Sequence, residues 1–261
     1  MSTQPELTSI YRFHFTRLPL SMRLTYTMTL LVLGLGYLFA LIYVWTSHAG
    51  RDGDPMLSVT DLIIAYSGSK SGTKLESALL GPMSGMLPSK ERADIIGWIH
   101  EGAKEDAYHK GVEDIIQKRC LACHDGSNPH IPNFTKFEGI HEVTQRDTGM
   151  NIPTLVRVSH IHLFGLTFIF FITSVIFSHA YVRPLWFKCV VIAVPFLMIL
   201  FDVFSWYLTK LHPMFAWMVI ISGAFMAMAF AIEFFVSLYQ MWLYRLPEEL
   251  EKNGGRIPTI G

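Results

Sequence analysis

Residues 24–50 read LTYTMTLLVLGLGYLFALIYVWTSHAG, and none of these 27 positions carries a formal charge. An α-helix needs about 20 predominantly apolar residues to cross the hydrocarbon core of a bilayer. Three further runs reach that length: 158–182 has no formal charge, and 189–209 and 211–244 have one acidic residue each. The sequence therefore predicts an all-α protein with a four-span transmembrane helical bundle.

The composition of the 261 residues agrees with this interpretation and excludes several classes of protein. Hydrophobic residues make up 51% of the chain and charged residues 16%, whereas soluble domains average about 25% charged. The high apolar content argues against disorder. The 21 basic and 21 acidic residues cancel, which argues against nucleic acid as a partner. Motifs typical of hydrolases and phosphate-binding loops are absent from the sequence.

The four runs divide the chain into seven predicted segments. The first run is nearly twice as long as the 7–15 apolar residues of a signal peptide, so we expect an uncleaved anchor. The segments are a tail (1–23), span one (24–50), a polar insert (51–157), span two (158–182), span three (189–209), span four (211–244) and a second tail (245–261).

Basic residues near the ends of the spans predict the orientation. Cytoplasmic loops carry an excess of Lys and Arg, and these residues cluster before span one, between spans two and three, and after span four. They are Arg12, Arg17, Arg23, Arg183, Lys188 and Arg245. The loop before span four has only Lys210. Both termini are therefore predicted to be cytoplasmic, and the insert 51–157 to lie on the outer face of the membrane.

The insert contains the motif Cys120-Leu121-Ala122-Cys123-His124. C-x-x-C-H is the attachment pattern of covalent haem c: two thiols on one helical turn bind the haem vinyl groups, and the adjacent His binds the iron. A disulfide, a zinc half-site and a redox dithiol are the alternatives. Zinc needs further ligands at finger-like spacing, and a thioredoxin-like motif needs a βαβ context; neither is present. The preceding residues 113–119 are predicted to form the helix that presents the motif.

Segments on both sides of this motif resemble parts of a cytochrome c domain. Before it come 81–88 (GPMSGMLP) and 91–103 (ERADIIGWIHEGA); after it comes 132–139 (PNFTKFEG). In monohaem c-type cytochromes the methionine and Trp-Ile segments follow the haem motif. The insert therefore resembles a circularly permuted cytochrome c domain, a small helical domain between spans one and two. Permutation is tolerated where chain termini lie close together.

The resemblance implies a membrane-bound c-type cytochrome. Such a protein carries single electrons on the periplasmic face of the bacterial inner membrane, in a respiratory chain or as a subunit of a larger redox complex. It implies redox partner proteins and, through the four spans, contact with the lipid bilayer and with quinone or other subunits. Whether the protein is also an enzyme stays open.

The same resemblance implies a methionine as the sixth haem ligand. Met83 fits the family spacing best and Met86 comes second. We expect Ser89 to cap the helix that follows. The competing ligand candidates are His100, His109, His130, His141 and Met150.

A possible second site lies in the predicted spans, where polar groups often mark function. His160 and His162 open span two, Asp202 lies near the outer end of span three, and His212 opens span four. Four interpretations are open: a b-type haem held by two His residues, a quinol site with a His and Asp202 as proton acceptors, structural hydrogen bonds between helices, or a non-haem metal.

Three hypotheses for function follow from these features. The first is an anchored electron carrier, the second a quinol-oxidising subunit with a b-type haem or quinone in the bundle, and the third a haem-based gas or redox sensor. Two further expectations concern single residues. We expect Cys189 to be a buried free thiol, and Glu233 to extend its carboxylate to the cytoplasmic interface.

Overall fold

The computed structural model describes residues 13–69, 72–129 and 131–248, and the fold there is helical. Arg12, His130 and the tail beyond residue 248 lie outside the described residues. The main helices are α1 (Leu20–His48), α2 (Val59–Ser67), α3 (Lys74–Leu80), α4 (Ser89–His100), α5 (Glu113–Arg119), α6 (Phe137–Val143), α7 (Ile152–Ser178), α8 (Leu185–Leu211) and α9 (Ala216–Trp242). Short 3₁₀ turns at Phe15–Arg17 and Pro213–Phe215 precede α1 and α9.

The four long helices α1, α7, α8 and α9 are long and apolar enough to cross a membrane. This confirms the prediction of four apolar helices. Their bounds differ from the apolar runs: α7, for example, begins at Ile152, six residues before the uncharged run at 158–182. Large apolar side chains, including Phe39, Phe168 and Phe204, are exposed on these helices. A soluble monomer rarely exposes so much apolar surface.

One compact unit consists of most of α1, α7, α8 and α9. It leaves out the last residues of α1 and α8 and the first residues of α7 and α9. Its described part covers 13–40, 157–205 and 218–248. Phe170, Ile199 and Phe230 form one of its buried clusters. Close approach of α1 to α9 depends on a glycine, because a Cβ on Gly34 would lie 2.7 Å from the ring of Phe234.

The second compact unit has its own apolar core. Its described part covers 41–69, 72–129, 131–156 and 206–217. The core cluster draws on residues before and after the C-x-x-C-H motif, including Leu87 and Trp98 on one side and Phe134 and Ile140 on the other. The indole Nε1 of the buried Trp98 donates a hydrogen bond to the Lys104 carbonyl at 2.9 Å. Segments 75–103 and 108–143 thus pack around one core.

Helix starts in this unit follow ordinary capping chemistry, with one exception. Ser58 and Asp61 form a reciprocal capping box at the start of α2, and the Thr73 side chain caps α3. The expectation that Ser89 caps α4 is wrong: Ser89 is the first helical residue, and Pro88 occupies the cap position without a side-chain hydrogen bond. Pro88 adopts an extended backbone at φ −57° and ψ 146°, which ends the preceding turn and lets the helix begin after it.

The two ends of segment 72–147 meet. Thr73 and Arg146 form an antiparallel bridge, and the Asp147 amide donates to the Gly72 carbonyl at 3.0 Å. The buried Asp147 carboxylate accepts hydrogen bonds from the Ser69 amide, the Ser77 hydroxyl and the Gly149 amide at 2.8–3.1 Å. This carboxylate therefore fixes the segment that enters the core to the segment that leaves it.

Candidate functional site

The C-x-x-C-H motif forms a single turn at the end of α5. Cys120 is the C-cap residue of α5. The amides of Cys123 and His124 both donate to the Cys120 carbonyl, at 3.1 and 2.9 Å. Cys120 is half-buried, Cys123 is exposed, and neither forms a disulfide. Two free thiols and an imidazole therefore lie on one turn at the edge of the core.

The helix that presents the motif matches its predicted bounds, Glu113–Arg119. It continues from a short helical turn, Glu105–Ala107, and a π-helical segment, Tyr108–Val112. Ile116 is buried in the core, and both Cys120 and Leu121 pack against the same cluster. Apolar packing on one side of α5 thus leaves the other side of the motif open.

The imidazole of His124 is held in one orientation by two neighbours. Its Nδ1 lies 2.8 Å from the Pro132 carbonyl oxygen. A carbonyl only accepts hydrogen bonds, so Nδ1 carries the proton and the lone pair is on Nε2. The ring also stacks on Phe134, with centroids 4.3 Å apart and planes 5° apart. The Phe134 amide donates to the His124 carbonyl at 2.8 Å. This is the tautomer and the support that an iron-ligating imidazole needs.

The environment of Cys120 differs from that of a reactive dithiol. Burial and the nearby Glu91 carboxylate raise the pKa of the Cys120 thiol. Redox C-x-x-C pairs have a lowered thiol pKa, often at a helix N-terminus, whereas Cys120 follows a helix C-terminus. The geometry therefore argues against the redox-dithiol alternative.

Residues 81–88 reach the motif through two polar contacts. The Arg92 guanidinium donates to the Ser84 carbonyl at 2.7 Å, which ties these residues to α4. Glu91, in the first turn of α4, accepts two hydrogen bonds from Arg119. Arg119 is the residue directly before Cys120. The methionine segment is thus connected to the helix that carries the cysteines.

The two candidate methionines differ in exposure. Met83 is half-buried, and its amide donates to the Ala78 carbonyl at 2.8 Å. Met86 is 67% exposed. Their neighbour Leu87 is buried in the core cluster that Cys120 packs against. Both side chains stay candidates for the sixth ligand.

The competing histidines have local partners. His100 Nε2 lies 2.9 Å from a Glu76 carboxylate oxygen, and His109 Nδ1 lies 2.7 Å from Glu113, which raises the pKa of His109. His141 stacks on Phe137 with ring centroids 5.4 Å apart. The Met150 backbone contacts are to Ala65 and Lys210.

The four residues of the predicted second site also have local contacts. His160 is exposed and meets Phe164 edge-on, and His162 Nδ1 lies 3.1 Å from its own helix at the Val158 carbonyl. The Ser222 hydroxyl lies 3.4 Å from the buried Asp202 carboxylate. His212 accepts a hydrogen bond from the Met214 amide and caps the 3₁₀ turn. A b-type haem or quinol site at these residues stays a prediction.

Two expectations about single residues in the long helices are wrong. Cys189 is free, as expected, but it is exposed and not buried. Glu233 does not extend to an interface: it is 0% exposed and bonded to Thr173 and Ser174. Helical periodicity alone does not show which of four helices covers a given position.

Three further residues support the motif, and the sequence motifs do not single them out. The Pro132 carbonyl orients His124, and Glu91 pairs with Arg119. The first is a backbone contact, which no side-chain pattern reveals. The second joins residues 28 positions apart, although the opposite charges on neighbouring helical segments were a signal that could have suggested it.

Comparison with known proteins supports the membrane part. A family model described as a transmembrane helical domain matches residues 140–248, a range that contains α7, α8 and α9. No curated protein and no solved structure matches the chain. With the four apolar helices, this match supports a multi-pass membrane protein.

Proposed function

We propose that this protein is a membrane-anchored monohaem c-type cytochrome that carries single electrons. The observation that carries the proposal is the state of His124: Nδ1 donates to the Pro132 carbonyl, and Nε2 is the nitrogen left to bind iron. This occurs on the same turn as two free thiols. Haem c requires this set of donors.

Four residues would hold the haem. Cys120 and Cys123 would form the two thioether bonds, and His124 would ligate the iron. Met83 would supply the second iron ligand, with Met86 as the alternative. When bound, the haem supplies reversible one-electron transfer at iron. The core cluster under Cys120 and Leu121 excludes water from one side of the site.

We also propose where in the cell the protein acts and which partners it has. The insert 51–157 is a permuted cytochrome c-like domain, and it faces the periplasm of a bacterial inner membrane. The positive-inside distribution of Lys and Arg supports this orientation. One span suffices for an anchor, so four spans favour a further membrane task, as part of a larger respiratory assembly or beside quinone. Redox proteins are its partners.

Haem quantification per chain tests this function. The full-length protein is expressed together with a haem c attachment system, and the alkaline pyridine spectrum is recorded after denaturation and solvent extraction. We expect one covalent haem per chain, and none in the variant with Cys120→Ser and Cys123→Ser. Cys189→Ser is the matched control, because it removes the third thiol outside the motif and leaves haem content unchanged.

Three other outcomes would change the conclusion. Wild-type protein without covalent haem under these conditions contradicts the proposal. The absorption spectrum of the native protein is recorded first, before denaturation and extraction. A non-covalent b-type signal in that spectrum, lost on extraction, makes the bundle a cofactor site and favours the quinol-oxidising alternative. A five-coordinate native spectrum favours the gas sensor over the electron carrier.

A further inference from the structure

Glu233 is a fully buried carboxyl group within a membrane-spanning helix. It is 0% exposed, and no Lys, Arg or His in the described parts of the chain lies within the 4.0 Å of an ion pair. A carboxylate without a counter-charge is costly in a membrane interior, and such residues are usually functional. The protonated carboxyl group avoids that cost.

The hydrogen bonds around Glu233 suit both of its protonation states. Thr173 Oγ1 lies 2.6 Å from Oε2 of Glu233 and 3.2 Å from the Phe170 carbonyl; Ser174 Oγ lies 2.7 Å from Oε1. A hydroxyl group has one proton to donate and two lone pairs. Thr173 donates to the ionised carboxylate. When Glu233 holds the proton, Oε2–H donates to Thr173, and Thr173 donates to Phe170. No side chain has to move.

Polar groups continue from Glu233 along one face of α9. Ser237 and Gln240 follow at the fourth and seventh positions, which share a helix face. Ser237 is 0% exposed, and its hydroxyl has no hydrogen-bond partner in the part of the chain that the structure describes. Gln240 is held by the Tyr181 backbone, accepting from its amide at 2.7 Å and donating to its carbonyl at 2.8 Å.

The polar face ends at His14, which has an exposed neighbour. The buried His14 ring contacts the Gln240 amide oxygen through Nε2 at 3.1 Å. Its Nδ1 accepts from the Thr16 amide at 3.2 Å and lies 3.0 Å from the Thr16 hydroxyl. Nε2 therefore carries the ring proton in the neutral form. Thr16 is exposed, so the polar face connects to solvent there.

The charged groups around His14 come from neighbouring segments. Lys188 and His179 are close enough to lower the pKa of His14 electrostatically, although burial is the larger cause. The Tyr244 ring centroid lies 6.1 Å from that of His14. The Lys188 ammonium group donates hydrogen bonds to the carbonyls of Ser178 and Ala180.

We propose that Glu233 is a proton-exchange site of the membrane bundle, which takes up and releases its proton at the end of the bundle where Thr16 lies, along the polar face on which Ser237 lies and Gln240 orients the His14 ring. The ligand is the proton itself: uptake converts the carboxylate into a carboxylic acid, and release reverses this. Ser237 supplies the hydroxyl relay between the carboxyl group and the His14 end. This inference does not depend on haem binding.

Infrared spectroscopy of the full-length protein in liposomes tests the site. A protonated carboxylic acid has a carbonyl stretch that is resolved from the amide bands and shifts in D₂O. We expect such a band at neutral pH in the wild type and its loss in Glu233→Gln. The glutamine keeps the size of the side chain and accepts from Thr173 or Ser174, so the variant retains the fold. No difference between the two proteins from acid to alkaline pH overturns the proposal.

Exchange kinetics test the path. After dilution into D₂O, Ser237→Ala should slow the shift of the Glu233 band by roughly tenfold. Ser222→Ala is the matched control: Ser222 is a buried serine of the same helix, bonded to backbone carbonyls and to Asp202. Equal exchange rates in the two serine variants and the wild type overturn the path through Ser237.

Labelling with dicyclohexylcarbodiimide provides a second readout of the site. This apolar reagent reacts with protonated carboxyl groups in membranes. We expect peptide mass spectrometry to find the adduct on Glu233, and its yield to fall as the pH is raised. A yield of the Glu233 adduct that stays constant as the pH is raised contradicts proton exchange at this carboxyl group.

Discussion

The guanidinium group of Arg119 donates two hydrogen bonds to the carboxylate of Glu91, from Nε at 2.8 Å and from Nη2 at 3.0 Å. Arg119 precedes Cys120, and Glu91 lies in the first turn of the helix after the methionine segment. The pair therefore joins the two halves of the proposed haem site. Such a two-bond geometry fixes orientation as well as distance.

The pair predicts a pH-dependent loss of stability in acid. Arg119 lowers the pKa of Glu91 below its ordinary 4.5. The stabilisation is therefore complete above the pKa of the unfolded chain and is lost as the pH falls through the lower folded value. Glu91→Gln should lower the midpoint of thermal unfolding at neutral pH, with the difference vanishing in acid. Glu101→Gln, which changes net charge equally, is the control; equal effects contradict the prediction.

Replacement of the candidate methionines should identify the sixth ligand. Loss of a thioether ligand lowers the reduction potential of haem. We expect Met83→Ala to abolish the long-wavelength absorption band of sulfur-ligated ferric iron and to lower the potential. Met86→Ala should leave both unchanged. The reverse pattern assigns the ligand to Met86, and no effect of either variant points to a histidine.

A pair of glycine substitutions tests the packing behind His124. A Cβ on Gly139 would lie 1.8 Å from the Asn133 carbonyl oxygen, next to the Phe134 that stacks on His124. Gly139→Ala should therefore be strongly destabilising. Gly97 is also helical and has open space at its Cβ position, so Gly97→Ala should stabilise by about 1 kcal/mol. The midpoint of thermal unfolding is measured for both variants. A similar shift in the two would contradict the close contact at Gly139.

Asp147→Asn should weaken the contact between the two ends of segment 72–147. Both carboxylate oxygens accept from donors, the Ser69 and Gly149 amides and the Ser77 hydroxyl. An asparagine turns one acceptor into a donor that faces another donor. We expect a loss of about 1–3 kcal/mol in the free energy of unfolding. Asp125→Asn is the control, since Asp125 is exposed and accepts its hydrogen bonds from Ser127, two residues along the chain; an equal loss there would contradict the special role of Asp147.

Local patterns were sufficient to predict much of this protein. The four apolar helices and the helix Glu113–Arg119 follow from runs and spacings within single segments. The C-x-x-C-H turn is also local, because the two hydrogen bonds that close it, from the Cys123 and His124 amides to the Cys120 carbonyl, span three and four positions. Its ligand chemistry stays a prediction until haem is measured.

Contacts between distant segments could not be predicted in the same way. The partners of Glu233 are 59 and 60 positions away on another helix, and nothing in the run 211–244 shows which side of α9 is covered. Pro132 acts on His124 through its backbone carbonyl, and every residue has such a group. These features depend on how the helices pack, so they appear only in three dimensions.

The bridge between Thr73 and Arg146 also bears on how such a chain can be assembled and rearranged. Paired residues of an antiparallel bridge have Cα atoms about 5 Å apart, so segment 72–147 leaves the rest of the chain almost where it enters. A short peptide linker could span that gap. Removal of segment 72–147, or its insertion into another membrane protein, should therefore leave the separation of the flanking residues almost unchanged.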